Sequence, residues 1–139
     1  MNTADRFRIA VEERDLAAID RLFAEDVRFF SPVKFTPFEG LPMVRGLFRV
    51  LLRTFEDFRY VGELRGEVEL TEQGPAESHV LVFRATVNGR AIHGIDLIQV
   101  DDQGLIKEFT VMVRPRSAVD ALSEAVYAGL VADGLVPAP

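Results

Sequence analysis

The spacing of apolar residues changes period once along the chain, and the change separates a helical first part from a sheet-forming second part. Within Thr3–Arg14, Phe7, Ala10 and Val11 recur at helical spacing. After Asp15, so do Leu16, Ile19, Leu22 and Phe23, which predicts two short helices in succession. Val27–Ser31 is β-branched and aromatic, and Pro32 ends it; Pro32–Gly40, with Pro37 inside, reads as a loop. Behind Pro42, the residues Val44, Leu47, Phe48, Leu51, Leu52 and Phe55 follow i, i+3, i+4, i+7, i+8, i+11, the pattern of a long amphipathic helix. From Phe58 the period is two. Phe58–Arg65 and Glu67–Thr71 read as modest strands separated by Gly66, and Ser78–Val87, Ala91–Val100 and Leu105–Val113 as stronger ones. Asn88-Gly89 suits a two-residue hairpin turn, since both positions need positive φ, and Asp101–Gly104 reads as a four-residue turn. Ser117 is expected to cap a closing helix with Ala118, Leu122, Ala125 and Val126 on its buried side, and Gly134–Pro139 to fray. Helices set against a run of antiparallel strands predict an α+β fold.

At 139 residues the chain suffices for one core, so a single domain over 1–139 is expected. No stretch approaches the roughly 20 apolar residues of a membrane helix, so no membrane partner is expected. The 22 acidic against 16 basic residues, net charge -6, disfavour nucleic-acid binding. Without cysteine there is no disulfide, thiol nucleophile or thiolate metal site. The first ten residues contain no apolar leader, and a cytoplasmic location is expected.

The strand pattern singles out one acid. A two-residue turn at Asn88-Gly89 sets Asp96 opposite Leu81, and a four-residue turn at Asp101–Gly104 sets Phe109 opposite Asp96. Ile92, Gly94 and Ile98 share its face, with Phe83 and Val111 as diagonal neighbours, and no Lys or Arg lies on this patch. Such burial raises a carboxyl pKa, and a neutral carboxyl donates a hydrogen bond. Two readings stay open: a structural Asp satisfied by the backbone, or the polar anchor of a ligand pocket. The chain has eleven Phe, and Phe29, Phe30, Phe35 and Phe38 crowd the loop that would form a pocket mouth. Ser31 has no His in a local motif and reads as a pocket-lining hydroxyl. His79 and His93 have no ligand spacing, so no metal is expected. His93 falls opposite Arg84 on the other sheet face, with Val80, Val82, Ile95 and Leu97, an apolar face that calls for a cover. Arg45, Arg49 and Arg53 form a solvated stripe on the long helix.

Asp15–Ile19, Leu22–Val27, Ser31-Pro32-Val33, Phe38-Glu39-Gly40, Gly94–Ile98 and Gly104–Phe109 together resemble the nuclear transport factor 2-like superfamily, in its SnoaL-like and ketosteroid isomerase-like branches. The resemblance implies a cone-shaped α+β barrel, cystatin-like: a strongly bent antiparallel sheet packed on the N-terminal helices around a cavity. It also implies a homodimer through the outer sheet face. Of the isomerase chemistry, the neutral oxyanion-stabilising Asp falls on Asp96, but the base falls on Ser31 and the tyrosine donors on Phe7 and Phe48. The expected ligand-facing set is Phe7, Val11, Ser31, Phe35, Phe38 and Phe48, with Tyr60, Leu81, Phe83, Phe109, Val111 and Val113 from the sheet. Three functions fit: binding of a small apolar, carbonyl-bearing molecule without a cofactor; a small cyclase, isomerase or dehydratase with Asp96 as acid or base; or an interaction domain with an incidental cavity.

Overall fold

The computed structural model describes Met1–Pro139. The elements run α1 (Thr3–Glu12), α2 (Leu16–Asp20), β1 (Phe23–Phe30), β2 (Phe38–Glu39), α3 (Leu41–Thr54), β3 (Glu56–Glu69), β4 (Pro75–Val87), β5 (Arg90–Val100), β6 (Ile106–Arg114) and α4 (Arg116–Ala132). The fold is α+β. One open six-stranded sheet in the order β2-β1-β6-β5-β4-β3 carries the helices on its inner face, and β2 and β3 are its edges. No helix is long and apolar enough to cross a membrane.

Local chemistry starts the helices. Asn2 and Asp5 form a reciprocal capping box at α1, and the Asp15 carboxylate caps α2, each cap contributing about 1 kcal/mol. α3 begins with Pro42 in its first turn and buries Val44, Leu47, Phe48 and Val50. Two of the arginines on its solvated side are paired, Arg45 with Asp20 at 2.8 Å and Arg53 with Asp133 at 2.9 Å.

Several boundaries differ from the sequence reading. Phe23 does not close the second helix. It starts β1 and is buried against Phe7 and Phe48, so tertiary packing overrides a five-residue helix that has little cooperativity of its own. Phe58–Thr71 is not two strands, because β3 runs unbroken through Gly66, paired with Ser78. β1 joins the sheet parallel to β6, so the sheet is mixed. Ser117 lies within the first turn of α4, whose cap position is Pro115 without a side-chain bond. The tail folds back: Leu135 occupies the space over Gly46, where a Cβ would sit 2.6 Å from Leu135 Cδ1.

The register carries the site. Asn88 and Gly89 both have positive φ, and β4 pairs with β5 as Leu81 opposite Asp96. On the other side, the connection has five residues, closed by Asp101 N–H donating to the Leu105 carbonyl at 2.8 Å, and a bulge follows at Gln99/Val100. These two irregularities move Val111, rather than Phe109, opposite Asp96; Phe109 faces Ile98. The shift is even, so Phe109 stays on the inner face.

Candidate functional site

Asp96 sits on the inner face of the central strand β5, 6% exposed. Tyr60 arrives from the edge strand β3, two strands away, where it pairs with Phe83 of β4. Its hydroxyl reaches across β4 and donates to Asp96 Oδ2 at 2.7 Å. Gly94 leaves room for this arrangement. A Cβ there would meet the Phe83 ring at 2.4 Å, so that ring fills the space a side chain at 94 would take and stacks on Phe58, 4.8 Å between centroids.

Burial raises the Asp96 carboxyl to about 7, against the pull of the Tyr60 hydrogen bond, which favours the carboxylate. The same burial, with the Asp96 charge beside it, pushes the Tyr60 hydroxyl well above its ordinary range. Tyr60 therefore remains a donor, while Asp96 is present in both protonation states near neutral pH. Neutral Asp96 offers its own O–H while Oδ2 accepts from Tyr60; ionised, it offers only acceptor oxygens.

The pair lines a cavity of about 370 Å³. Phe7, Phe29, Phe48 and Phe109 pack ring against ring along one wall, with Phe29 and Phe109 stacked 5.3 Å apart. Val11 of α1, Leu51 of α3, Phe55 just after that helix and Val126 of α4 line it further, as does Val136 of the returning tail. Asp96 is the one buried polar residue in this lining. Of the residues expected to face a ligand, Phe7, Val11, Ser31, Phe38, Phe48, Tyr60, Phe109 and Val111 lie on the cavity with Asp96.

Four do not. Phe35 points into solvent, 96% exposed, because the loop after Ser31 turns it away from the interior. Leu81 and Phe83 share the inner face but lie in the sealed core, the Phe83 ring covered by Phe58 and Phe55. Val113 packs on the core beside Gly94 without reaching the cavity. The histidines are on opposite faces: His79 is fully buried with Nε2 2.8 Å from Glu77 Oε2, and His93 is between Arg84 and Arg114 on the outer face. The α4 and tail residues of the cavity were not found by sequence reasoning. Val126 carried a signal in its helical spacing, but Val136 carried none.

The sequence matches the SnoaL-like domain family over residues 4–109. The chain belongs to the SnoaL-like family. A steroid delta-isomerase from Pseudomonas aeruginosa is 36% identical to it, with 96% of this chain and 93% of that one covered and a TM-score of 0.83. An uncharacterised bacterial protein with a cystatin-like fold from Silicibacter pomeroyi is 31% identical over 95% of this chain and 87% of that one, TM-score 0.83. A protein named as a SnoaL-like polyketide cyclase from Shewanella denitrificans shares the fold at 13% identity, TM-score 0.60, covering 88% and 95%. No curated protein matches the chain.

This SnoaL-like chain departs from the isomerase pattern in where its phenol comes from. Phe7 and Phe48, at the positions where tyrosines were implied, are buried in the aromatic wall 5.8 Å apart. The phenol beside Asp96 is supplied by Tyr60 of β3 instead. At the position implied for the base, the Ser31 oxygen accepts from the backbone N–H groups of Val33 and Lys34, at 3.2 and 3.3 Å. It braces the loop at the cavity and brings no carboxylate.

Proposed function

We propose that this SnoaL-like protein binds a small apolar molecule carrying a carbonyl group, held by the Asp96–Tyr60 pair in the cavity. The observation that supports this is a single buried carboxyl with a phenol donor at 2.7 Å, set in a wall that is otherwise mostly hydrocarbon. The volume of about 370 Å³ lies near the lower end of the roughly 300–1,000 Å³ common for small-molecule sites, which suits a compact one- or two-ring ligand. A carbonyl oxygen needs a donor, so the binding form is the one in which Asp96 is neutral, and binding takes up a proton.

The test uses 2-tetralone and its hydrocarbon counterpart tetralin in titration calorimetry. The ketone should bind about ten-fold tighter at pH 6, and lose that advantage at pH 9 and in Asp96→Ala. Tetralin binding as tightly at pH 6 would refute the proposal.

The 36% identity to a steroid delta-isomerase favours a second reading, turnover at the carbon beside the carbonyl. There the Asp96 carboxylate takes the α-proton and returns it to the same or a neighbouring carbon. Loss of α-proton signals from 2-tetralone in D2O, faster with protein and not with Asp96→Ala, supports turnover; equal rates refute it.

We further propose that a second copy covers the outer sheet face, which is banded across β3, β4, β5 and β6. Arg84, His93 and Arg114 form a basic row. Two apolar rows follow: Gly62, Val82, Ile95 and Met112, then Leu64, Val80, Leu97 and Thr110. In the last row, Gly66, Ser78, Gln99 and Glu108, the three side chains are buried and bonded within the chain, Gln99 donating to the Val68 carbonyl at 2.8 Å and Glu108 accepting from Thr71, so the apolar rows are what is left to cover. A two-fold axis between the apolar rows stacks them on each other, an isologous contact. Light scattering should give a dimer at micromolar concentration and a monomer for Leu97→Glu; a monomeric wild type rejects the pairing.

A further inference from the structure

The loop between β1 and β2 gives the cavity a second polar corner, of a different kind from the buried pair. Ser31 lines the cavity, and its oxygen already accepts two backbone N–H groups, from Val33 and Lys34. Both lone pairs are thereby engaged, and what the hydroxyl has left to offer is its proton. Lys34 also lines the cavity and is exposed, which puts it at the opening. Its ammonium lies 4.4 Å from the centroid of the Phe38 ring, another lining residue. No carboxylate comes within 4.0 Å of it. The loop therefore presents two donors, one of them charged, and no acceptor side chain.

The other charges at the opening are already engaged or point the same way. Glu12 is held by Arg8 at 3.2 Å, and Arg59 by Asp57 at 3.3 Å. Arg14 donates to the Leu52 carbonyl at the end of α3 and has no carboxylate partner. In a chain with net charge -6, the rim of this cavity has cations to spare.

From this geometry we infer that the natural occupant is an amphipathic acid, with its carbonyl on the Asp96–Tyr60 pair and a carboxylate at the mouth on Ser31 and Lys34. The inference rests on the cavity being the ligand site proposed above and adds the chemical class of the ligand's outer end. A carboxylate is chosen over a neutral ester because the corner is donor-only and cationic, and a charge-assisted contact to a partly solvated ammonium discriminates between them. The apolar stretch between the two polar corners selects for a hydrocarbon or aryl body in the middle of the molecule.

The experiment compares 4-acetylbenzoate, in which an aryl ring separates the ketone from the carboxylate, with its methyl ester by titration calorimetry at pH 6 on wild type, Lys34→Met and Lys34→Arg. The acid should bind wild type and Lys34→Arg about ten-fold tighter than the ester. In Lys34→Met the acid should lose that advantage, so that the two bind alike. Lys34 is exposed on a loop, so its substitution leaves the fold intact. An ester that binds wild type as tightly as the acid, or an acid preference that survives in Lys34→Met, overturns the inference. If neither compound binds while 2-tetralone does, the mouth assignment falls and the ketone site stands; if 2-tetralone also fails, both fall.

Discussion

Replacing Asp96 by Asn changes the pH dependence of folding in a way that can be worked out from the site. Burial moves the carboxyl from 3.8 to about 7, so between those values the folded state holds a proton that the unfolded chain has lost. Stability then falls as pH rises. The contribution is complete below the unfolded pKa and gone above the folded one. A shift of about three units is worth about 4 kcal/mol, of which about 3 kcal/mol is lost between pH 5 and pH 8.5. Asn keeps an oxygen to accept from Tyr60 and cannot ionise, so the variant should not share this loss. Tyr60 stays protonated throughout, since its hydroxyl is pushed further up. His93 is held below its ordinary range by partial desolvation and by Arg84 and Arg114, which makes stability rise with pH in both proteins and cancels in the difference. Urea unfolding at pH 5 and pH 8.5 gives that difference directly, and Asp96→Asn should gain about 3 kcal/mol on wild type across the interval. Parallel pH profiles for the two proteins would mean that the carboxyl is solvated or compensated, and the account of the site would be wrong.

Tyr60→Phe removes the hydrogen bond that favours the ionised acid, so the Asp96 carboxyl should titrate higher than in wild type when followed by NMR; an unchanged or lower midpoint contradicts the pairing. Gly94→Ala places a Cβ 2.4 Å from the Phe83 ring and 2.9 Å from the Met112 carbonyl oxygen. It should cost about 2 kcal/mol in urea unfolding and weaken the Tyr60–Asp96 contact; full stability would show that Phe83 does not occupy that space. Phe35→Ser alters a side chain that touches nothing in the core, and its melting temperature should match wild type; a clear drop would place the ring in the fold after all.

Legibility in the sequence followed locality. The Asn88-Gly89 turn fixes pairing by its own backbone preference, so Asp96 opposite Leu81 could be counted off. The β5–β6 register could not be, because one extra turn residue and a bulge at Gln99/Val100 have no comparable signature. The inner face of Asp96 was readable from alternation, but the depth of Leu81 and Phe83 below it was not. That depth depends on Gly94 being empty and on Phe58 covering the ring. Tyr60 was placed near the ligand, yet its bond to Asp96 was hidden, since bulges on both sides of Arg59-Tyr60 break the alternation through β3. Phe35 was drawn in by the density of phenylalanines in its loop, and composition has no direction.

The two partners of the buried pair belong to very different parts of the sheet. Asp96 is in a strand flanked on both sides, whereas Tyr60 hangs from the border, on a strand whose far half is largely exposed and bonded on one side only. Fraying begins at such borders. Amide exchange near Tyr60 should therefore outpace exchange near Asp96, and each brief detachment of the border unhooks the phenol while the acid stays anchored. The strength of the proposed polar grip would thus follow how firmly a peripheral ribbon is fastened, far from the hydrocarbon that a guest would touch.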